Sequence, residues 1–139
     1  MTNKACIFCT IIKDTNNLIF EDTNTAAFMD INPVTKGHIL VIPKQHFETF
    51  IDTTPKIVSD VSITTHKIAN LLIKTIPEIK GFNILTNNGS EAFQEVFHYH
   101  VHIIPKYIRE KGFLINRTKE NVTIDDINNL KKILKLQLM

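Results

Sequence analysis

Three observations predict an α+β domain built on a mainly antiparallel sheet. Short apolar runs bounded by turn residues recur along the chain, as strands do. One long helical stripe interrupts them, and a second follows the last. Strands therefore come in runs, without the regular strand–helix alternation of a doubly wound parallel sheet.

The elements follow in order. Ile7 to Lys13 reads as a short helix. Leu18-Ile19-Phe20 and Ala26 to Met29 read as strands, turned by the polar stretch Glu21 to Thr25. Pro33 breaks the chain, because it lacks a donor and restricts Asn32. His38 to Ile42 is a strand closed by Pro43. Thr53 or Thr54 before Pro55 is a helix start with a hydroxyl cap. Ile57, Val58, Val61, Ile68, Leu71 and Leu72 then mark an apolar helical face that runs to about Ile76. Gly81 to Thr86 is the next strand, a polar loop spans Asn87 to Gln94, and a last strand runs from Val96 to Ile104, stopped by Pro105. Thr123-Ile124-Asp125-Asp126 opens an amphipathic C-terminal helix carrying Ile127, Leu130, Leu134 and Leu138.

The chain has 139 residues, 43% of them apolar, which suits a single domain over residues 1–139 with a substantial core. A net charge of +2, with lysines spread along the chain, speaks against a nucleic-acid surface. No apolar run reaches the roughly 20 residues of a membrane helix. Met1-Thr2-Asn3-Lys4 carries no secretory core, so a cytoplasmic location is expected.

The chemistry concentrates in His98-Tyr99-His100-Val101-His102. On a strand, alternate side chains share a face, so the three histidines stand together opposite Tyr99, Val101 and Ile103. Such a face suits two chemistries. It can hold a metal, or it can offer a neutral imidazole as nucleophile towards phosphorus while its neighbours bind anionic oxygens. The loop Asn87-Asn88-Gly89-Ser90 adds small polar groups fit for phosphate. Cys6 and Cys9 are a redox pair, an inert pair or half of a zinc site. His46 and His98 would complete a Cys2His2 set.

The run Val96 to Pro105 resembles the histidine triad (HIT) motif, with Tyr99 as a mild variant. Cys6-Ile7-Phe8-Cys9, the block Asp30 to Lys44 and the block Gly81 to Gly89 resemble the other signatures of the bacterial, Hint-like branch, in the same order. The resemblance implies a HIT-like fold, with a five-stranded sheet, a long central helix and a homodimer. It also implies hydrolysis or transfer at the α-phosphate of nucleoside 5′-phosphoramidates or related purine nucleotides, through a nucleotidyl-histidine. Dinucleoside polyphosphate hydrolysis and nucleotide binding without turnover are the alternatives. By position, His100 matches the nucleophile, His102 a phosphate contact and His38 a partner of the catalytic face. Asp30 matches the ribose-binding acid. Ile12, Phe28 and Ile31 match the base pocket, and Asn87 and Gln94 match phosphate contacts. Cys6, Cys9, His46 and His98 match four ligands of a structural zinc.

Two residues depart from the pattern. Phe93 stands where a glycine often precedes the glutamine, and Glu95 stands where some relatives place a hydroxyl residue.

Overall fold

The computed structural model describes residues 5–139, so the reading of the first four residues lies outside it. The elements are α1 (Ile7–Ile11), β1 (Phe20–Glu21), β2 (Thr25–Met29), β3 (Ile39–Pro43), α2 (Pro55–Thr75), β4 (Gly81–Leu85), β5 (Val101–Lys106) and α3 (Ile124–Leu138). The five strands form one sheet in the order β1-β2-β3-β5-β4. Every neighbouring pair is antiparallel.

Side-chain alternation divides the sheet into two buried faces. Ala27, Ile39, Val41, Val101 and Ile103 face one core with Val61, Ile68, Ala69 and Leu72 of α2. Ala26, Phe28, Leu40 and Ile42 face the other core with Phe8 of α1. Strand β3 is buried on both faces along its whole length, which explains its unbroken apolar run. The register pairs Phe28 with Leu40, Leu40 with His102, and His102 with Leu85. His102 thereby stands in one row with the apolar residues of the α1 face.

Several expectations need correction. The last strand begins at Val101 rather than Val96, so only His102 of the three histidines lies on it. The preceding segment is held differently: the Tyr99 N–H donates to the Phe47 carbonyl at 2.7 Å. Pro105 does not stop the strand, which continues to Lys106 with Pro105 opposite Phe82. The first strand lies at Phe20–Glu21, displaced from Leu18–Phe20. Thr54 is the N-cap of α2 but makes no side-chain cap bond. The Thr53 hydroxyl donates instead to the Thr49 carbonyl at 2.7 Å. Leu71 points outward at 54% exposure, and Thr64 and Thr65 take inward positions on the helix.

Gly37 matters for the site. Its φ is +91°, and a Cβ there would sit 3.1 Å from Pro105 Cγ. A left-handed backbone without a side chain therefore lets the chain turn under β5 and deliver His38 to the sheet. Helix α3 has the expected capping box, with Thr123 and Asp126 bonded reciprocally. None of its residues is buried.

Candidate active site and metal centre

A cleft of about 460 Å³ opens on the α1 face of the sheet. Its lining includes Phe28, Asp30, Ile31 and Leu40, the imidazoles of His38, His100 and His102, and Asn87, Phe93 and Glu95. Helix α1 contributes Ile7, Phe8 and Ile11. Ile7 and Ile11 are four residues apart and so share one helix face. That spacing was the signal for these two wall residues, which the sequence reading missed. Ile12, expected in the base pocket, is absent from the lining and packs against the core around Phe8 and Phe28.

The imidazoles form two hydrogen-bond chains, and each chain assigns the ring protons. The Val34 N–H donates to His38 Nδ1 at 3.1 Å, so the proton of neutral His38 sits on Nε2. His38 Nε2 donates to His102 Nδ1 at 2.9 Å. His102 is left with its proton on Nε2, a donor for a substrate oxygen. In the second chain, His100 Nδ1 donates to the His98 carbonyl at 2.7 Å. His100 Nε2 then keeps an unshared electron pair. The ring is buried, with the edge of Phe8 at 5.0 Å between centroids.

Charge agrees with these assignments. Burial pushes His102 down to about 4, helped by His100 and His38 and opposed by Asp30. Burial lowers His100 against the opposing pull of the His98 carbonyl and Asp30. Burial also lowers His38, again against Asp30, whose Oδ2 lies 3.5 Å from His38 Nε2. The unfolded chain thus binds more protons at His38 and His102 than the folded one. The stability contributed by keeping them neutral is complete above the ordinary histidine pKa of 6.5 and is lost as pH falls towards about 4. The melting temperature is expected to decline across that window, before the lowered carboxylates Asp22 and Asp60 protonate. A melting temperature flat from pH 7 to pH 4.5 contradicts this.

Asp30 also closes a turn before Pro33: its Oδ1 accepts the Asn32 N–H at 2.8 Å. Asn87 faces the cleft with only a long bond, 3.5 Å, from its Nδ2 to the Phe93 carbonyl. Gln94, an expected phosphate contact, is held by bonds within the chain. It is buried, its Oε1 accepts the Gly89 N–H at 2.8 Å, and its Nε2 donates to the Glu48 and Val96 carbonyls at 2.7 and 3.1 Å. Its amide braces the loop. The loop's own amides are partly committed too, since Phe93 N–H and Gln94 N–H donate to the Ser90 and Gly89 carbonyls.

Behind the cleft, Cys6, Cys9, His46 and His98 bring four ligand atoms within 4.8 Å of one another. His98 Nδ1 lies 3.4 Å from Cys6 Sγ, 3.5 Å from Cys9 Sγ and 3.2 Å from His46 Nδ1. Cys9 Sγ lies 3.4 Å from His46 Nδ1. Zinc bonds of about 2.0 Å to nitrogen and 2.3 Å to sulfur put tetrahedral ligand atoms roughly 3.3–3.8 Å apart, so the set fits that ion. His98 Nε2 donates to the Pro43 carbonyl at 2.8 Å, which leaves Nδ1 unprotonated towards the other three. The triad histidines do not converge on one ion, since His98 turns to the cysteines. Asp30, His38 and His102 also cluster, but the proton on His38 Nε2 blocks that corner.

A family model described as the HIT domain matches residues 13–108. A solved HIT family protein from Bacillus anthracis is 38% identical, with a TM-score of 0.86 over 98% of this chain and 99% of that one. A zinc-bound histidine triad family protein from Mycobacterium smegmatis is 32% identical, with a TM-score of 0.71 over 96% and 95% of the two chains. An adenosine 5′-monophosphoramidase of Saccharomyces cerevisiae is 33% identical over 96% of this chain and 83% of its own length. With its ordered blocks, antiparallel sheet and histidine cleft, the chain belongs to the histidine triad (HIT) family.

Proposed function

We propose that this protein, as a single HIT domain, hydrolyses nucleoside 5′-phosphoramidates through a covalent nucleotidyl-histidine on His100. The observation that carries the reading is the pair of opposed tautomers: an unprotonated Nε2 on His100 beside a protonated Nε2 on His102. The phosphoramidase relative supports the substrate class.

The ribose hydroxyls bind Asp30, and a purine lies against Phe28 and Ile31. His100 Nε2 attacks the α-phosphorus, and the phosphorus–nitrogen bond to the leaving amine breaks. His102 Nε2–H and the Asn87 amide donate to the phosphoryl oxygens, where negative charge grows. Water then attacks the nucleotidyl-histidine and releases the nucleoside monophosphate. Gln94 acts through the loop that carries Asn87. The test is release of AMP from adenosine 5′-phosphoramidate by the wild type and by His100→Ala.

Zinc at Cys6, Cys9, His46 and His98 is the proposed cofactor. With four protein ligands it is a structural ion, tying the segment before β5 to the start of the domain. Thiolate ligands suit a reducing, cytoplasmic setting. Among the described residues, no helix is long and apolar enough to cross a membrane.

We further propose a homodimer. Strand β4 is an open sheet edge, and α3 exposes Ile124, Ile127, Leu130, Ile133 and Leu134, each more than half. Light scattering on the eluted protein is expected to give twice the chain mass of 15.9 kDa. A single-chain mass at micromolar concentration overturns this.

A further inference from the structure

We propose that Thr35 is a positioning residue for the reaction: its hydroxyl, bonded to β5, holds the Val34 N–H on His38 Nδ1 and so fixes which nitrogen of His102 carries the proton. The proposal rests on the phosphoramidase reading and adds the residue that sets the proton chain.

The Val34 amide belongs to a segment with little packing of its own. Ile31 is 84% exposed and Val34 45%. Yet that amide stands 3.1 Å from His38 Nδ1. Two bonds hold the segment. At one end Asp30 Oδ1 accepts the Asn32 N–H at 2.8 Å. At the other the Thr35 hydroxyl donates to the Pro105 carbonyl at 2.6 Å. Pairing of β3 with β5 ends at Ile39 and Ile103, so Pro105 lies beyond that ladder and Thr35 makes the tie instead. The Thr35 carbonyl also accepts the His38 N–H at 3.1 Å, closing a four-residue turn with Gly37 in its third position. Thr35 therefore grips β5 by its side chain and His38 by its backbone, and its neighbour Val34 bonds the ring.

The loop after β5 keeps the threonine in place. A Cβ on Gly112 would lie 2.6 Å from Thr35 Cγ2, so the loop backbone packs directly on the methyl group and leaves the hydroxyl to β5. The Lys106 ammonium ties that loop down by donating to the Lys111 and Phe113 carbonyls at 2.5 and 2.6 Å. The Tyr107 hydroxyl donates to the Lys36 carbonyl at 2.7 Å, from the same loop to the same turn.

The tautomers follow from the amide. With the Val34 N–H on Nδ1, neutral His38 keeps its proton on Nε2 and donates to His102 Nδ1 at 2.9 Å. His102 Nε2–H is then free to donate to a phosphoryl oxygen. Without the amide, the His38 proton moves to Nδ1, and Nε2 accepts from His102 Nδ1–H. His102 Nε2 then turns an unshared pair towards the anionic oxygen. The number of protons is unchanged; only their places reverse. Asp30 Oδ2, 3.5 Å from His38 Nε2, favours the original arrangement, so the reversal is partial. Removing an oxyanion donor outright costs about a hundred- to a thousandfold in kcat, and a partial reversal costs less.

The test compares the wild type with Thr35→Val and Thr35→Ser. Valine keeps a methyl group against Gly112 and removes the hydroxyl; serine keeps the hydroxyl. Nitrogen-15 NMR reads the His38 and His102 tautomers in the free protein at neutral pH, and AMP release from adenosine 5′-phosphoramidate reads the reaction. Thr35→Val is expected to shift proton population on His38 from Nε2 to Nδ1. It is expected to lower kcat about thirtyfold and to change KM by less than about threefold, because the donor acts in the transition state. Thr35→Ser is expected to restore the tautomer, and kcat to within about threefold of the wild type. A folded Thr35→Val with the wild-type tautomer, or with wild-type kcat, overturns the proposal and leaves the phosphoramidase reading standing. A wild type that releases no AMP overturns that reading instead, and the ring-nitrogen shifts alone then uphold or overturn the anchor.

Discussion

His100→Ala is expected to lower kcat/KM for adenosine 5′-phosphoramidate by at least about a thousandfold, equivalent to roughly 4 kcal/mol of transition-state stabilisation. The size follows from the role. His100 Nε2 is the atom with an unshared pair in the centre of the cleft, because Nδ1 is committed to the His98 carbonyl. His102 cannot substitute, since its Nδ1 receives the His38 proton and its Nε2 carries its own. His38 is likewise occupied at both ring nitrogens. Loss of the nucleophile therefore removes the two-step route altogether. The variant loses a buried ring against Phe8, so its melting temperature must be measured alongside. A folded variant that retains more than about a tenth of wild-type activity sinks the His100 mechanism. If the wild type is itself inactive on the phosphoramidate, the hydrolase reading fails at its first substrate.

Cys9→Ser is expected to reduce bound zinc from about one ion per chain to a small fraction and to lower the melting temperature by about 10 °C or more. Structural zinc sites contribute on the order of 10 kcal/mol in small domains. Here much of the frame is already held by the sheet, so only part of that appears as a stability loss. Cys9 is fully buried and faces His46 and His98, so the exchange leaves a weaker ligand in a closed site. Metal analysis of the purified protein, with melting curves before and after chelation, checks both halves. Zinc-free wild type whose melting curve ignores chelators overturns the metal assignment. The cluster also touches the proposed chemistry through the chain itself: the carbonyl that orients His100 belongs to His98, one of the proposed zinc ligands. A displaced His98 would release the His100 ring from its Nδ1 bond, so activity is expected to fall with zinc content.

Local signals carried much of this protein. Capping residues and apolar spacing located α2 and α3 to within a few residues, because helix caps and periodicity are properties of neighbours in sequence. The buried runs at β2 and β3 were legible for the same reason. The spacing of His98, His100 and His102 marked the candidate reactive segment, and Cys6 and Cys9 marked a metal or redox pair. Other features depend on contacts between distant segments, and only the tertiary structure decided them. The four-ligand cluster joins residues 92 positions apart, and no local pattern chooses zinc over redox chemistry for such a pair. Strand β5 starts at Val101 because pairing with β3 begins there, although the apolar run starts earlier. Gln94 is drawn into bracing bonds, and Ile12 packs half-buried against the α1 core, through partners elsewhere in the fold. The ring protons of His38, His100 and His102 were set by a backbone amide, a carbonyl and a neighbouring imidazole. Sequence alone therefore marked the histidines and cysteines as candidates for chemistry. The packed fold decided which atom of each residue is left to perform it, since hydrogen-bond partners are assigned only when distant segments meet.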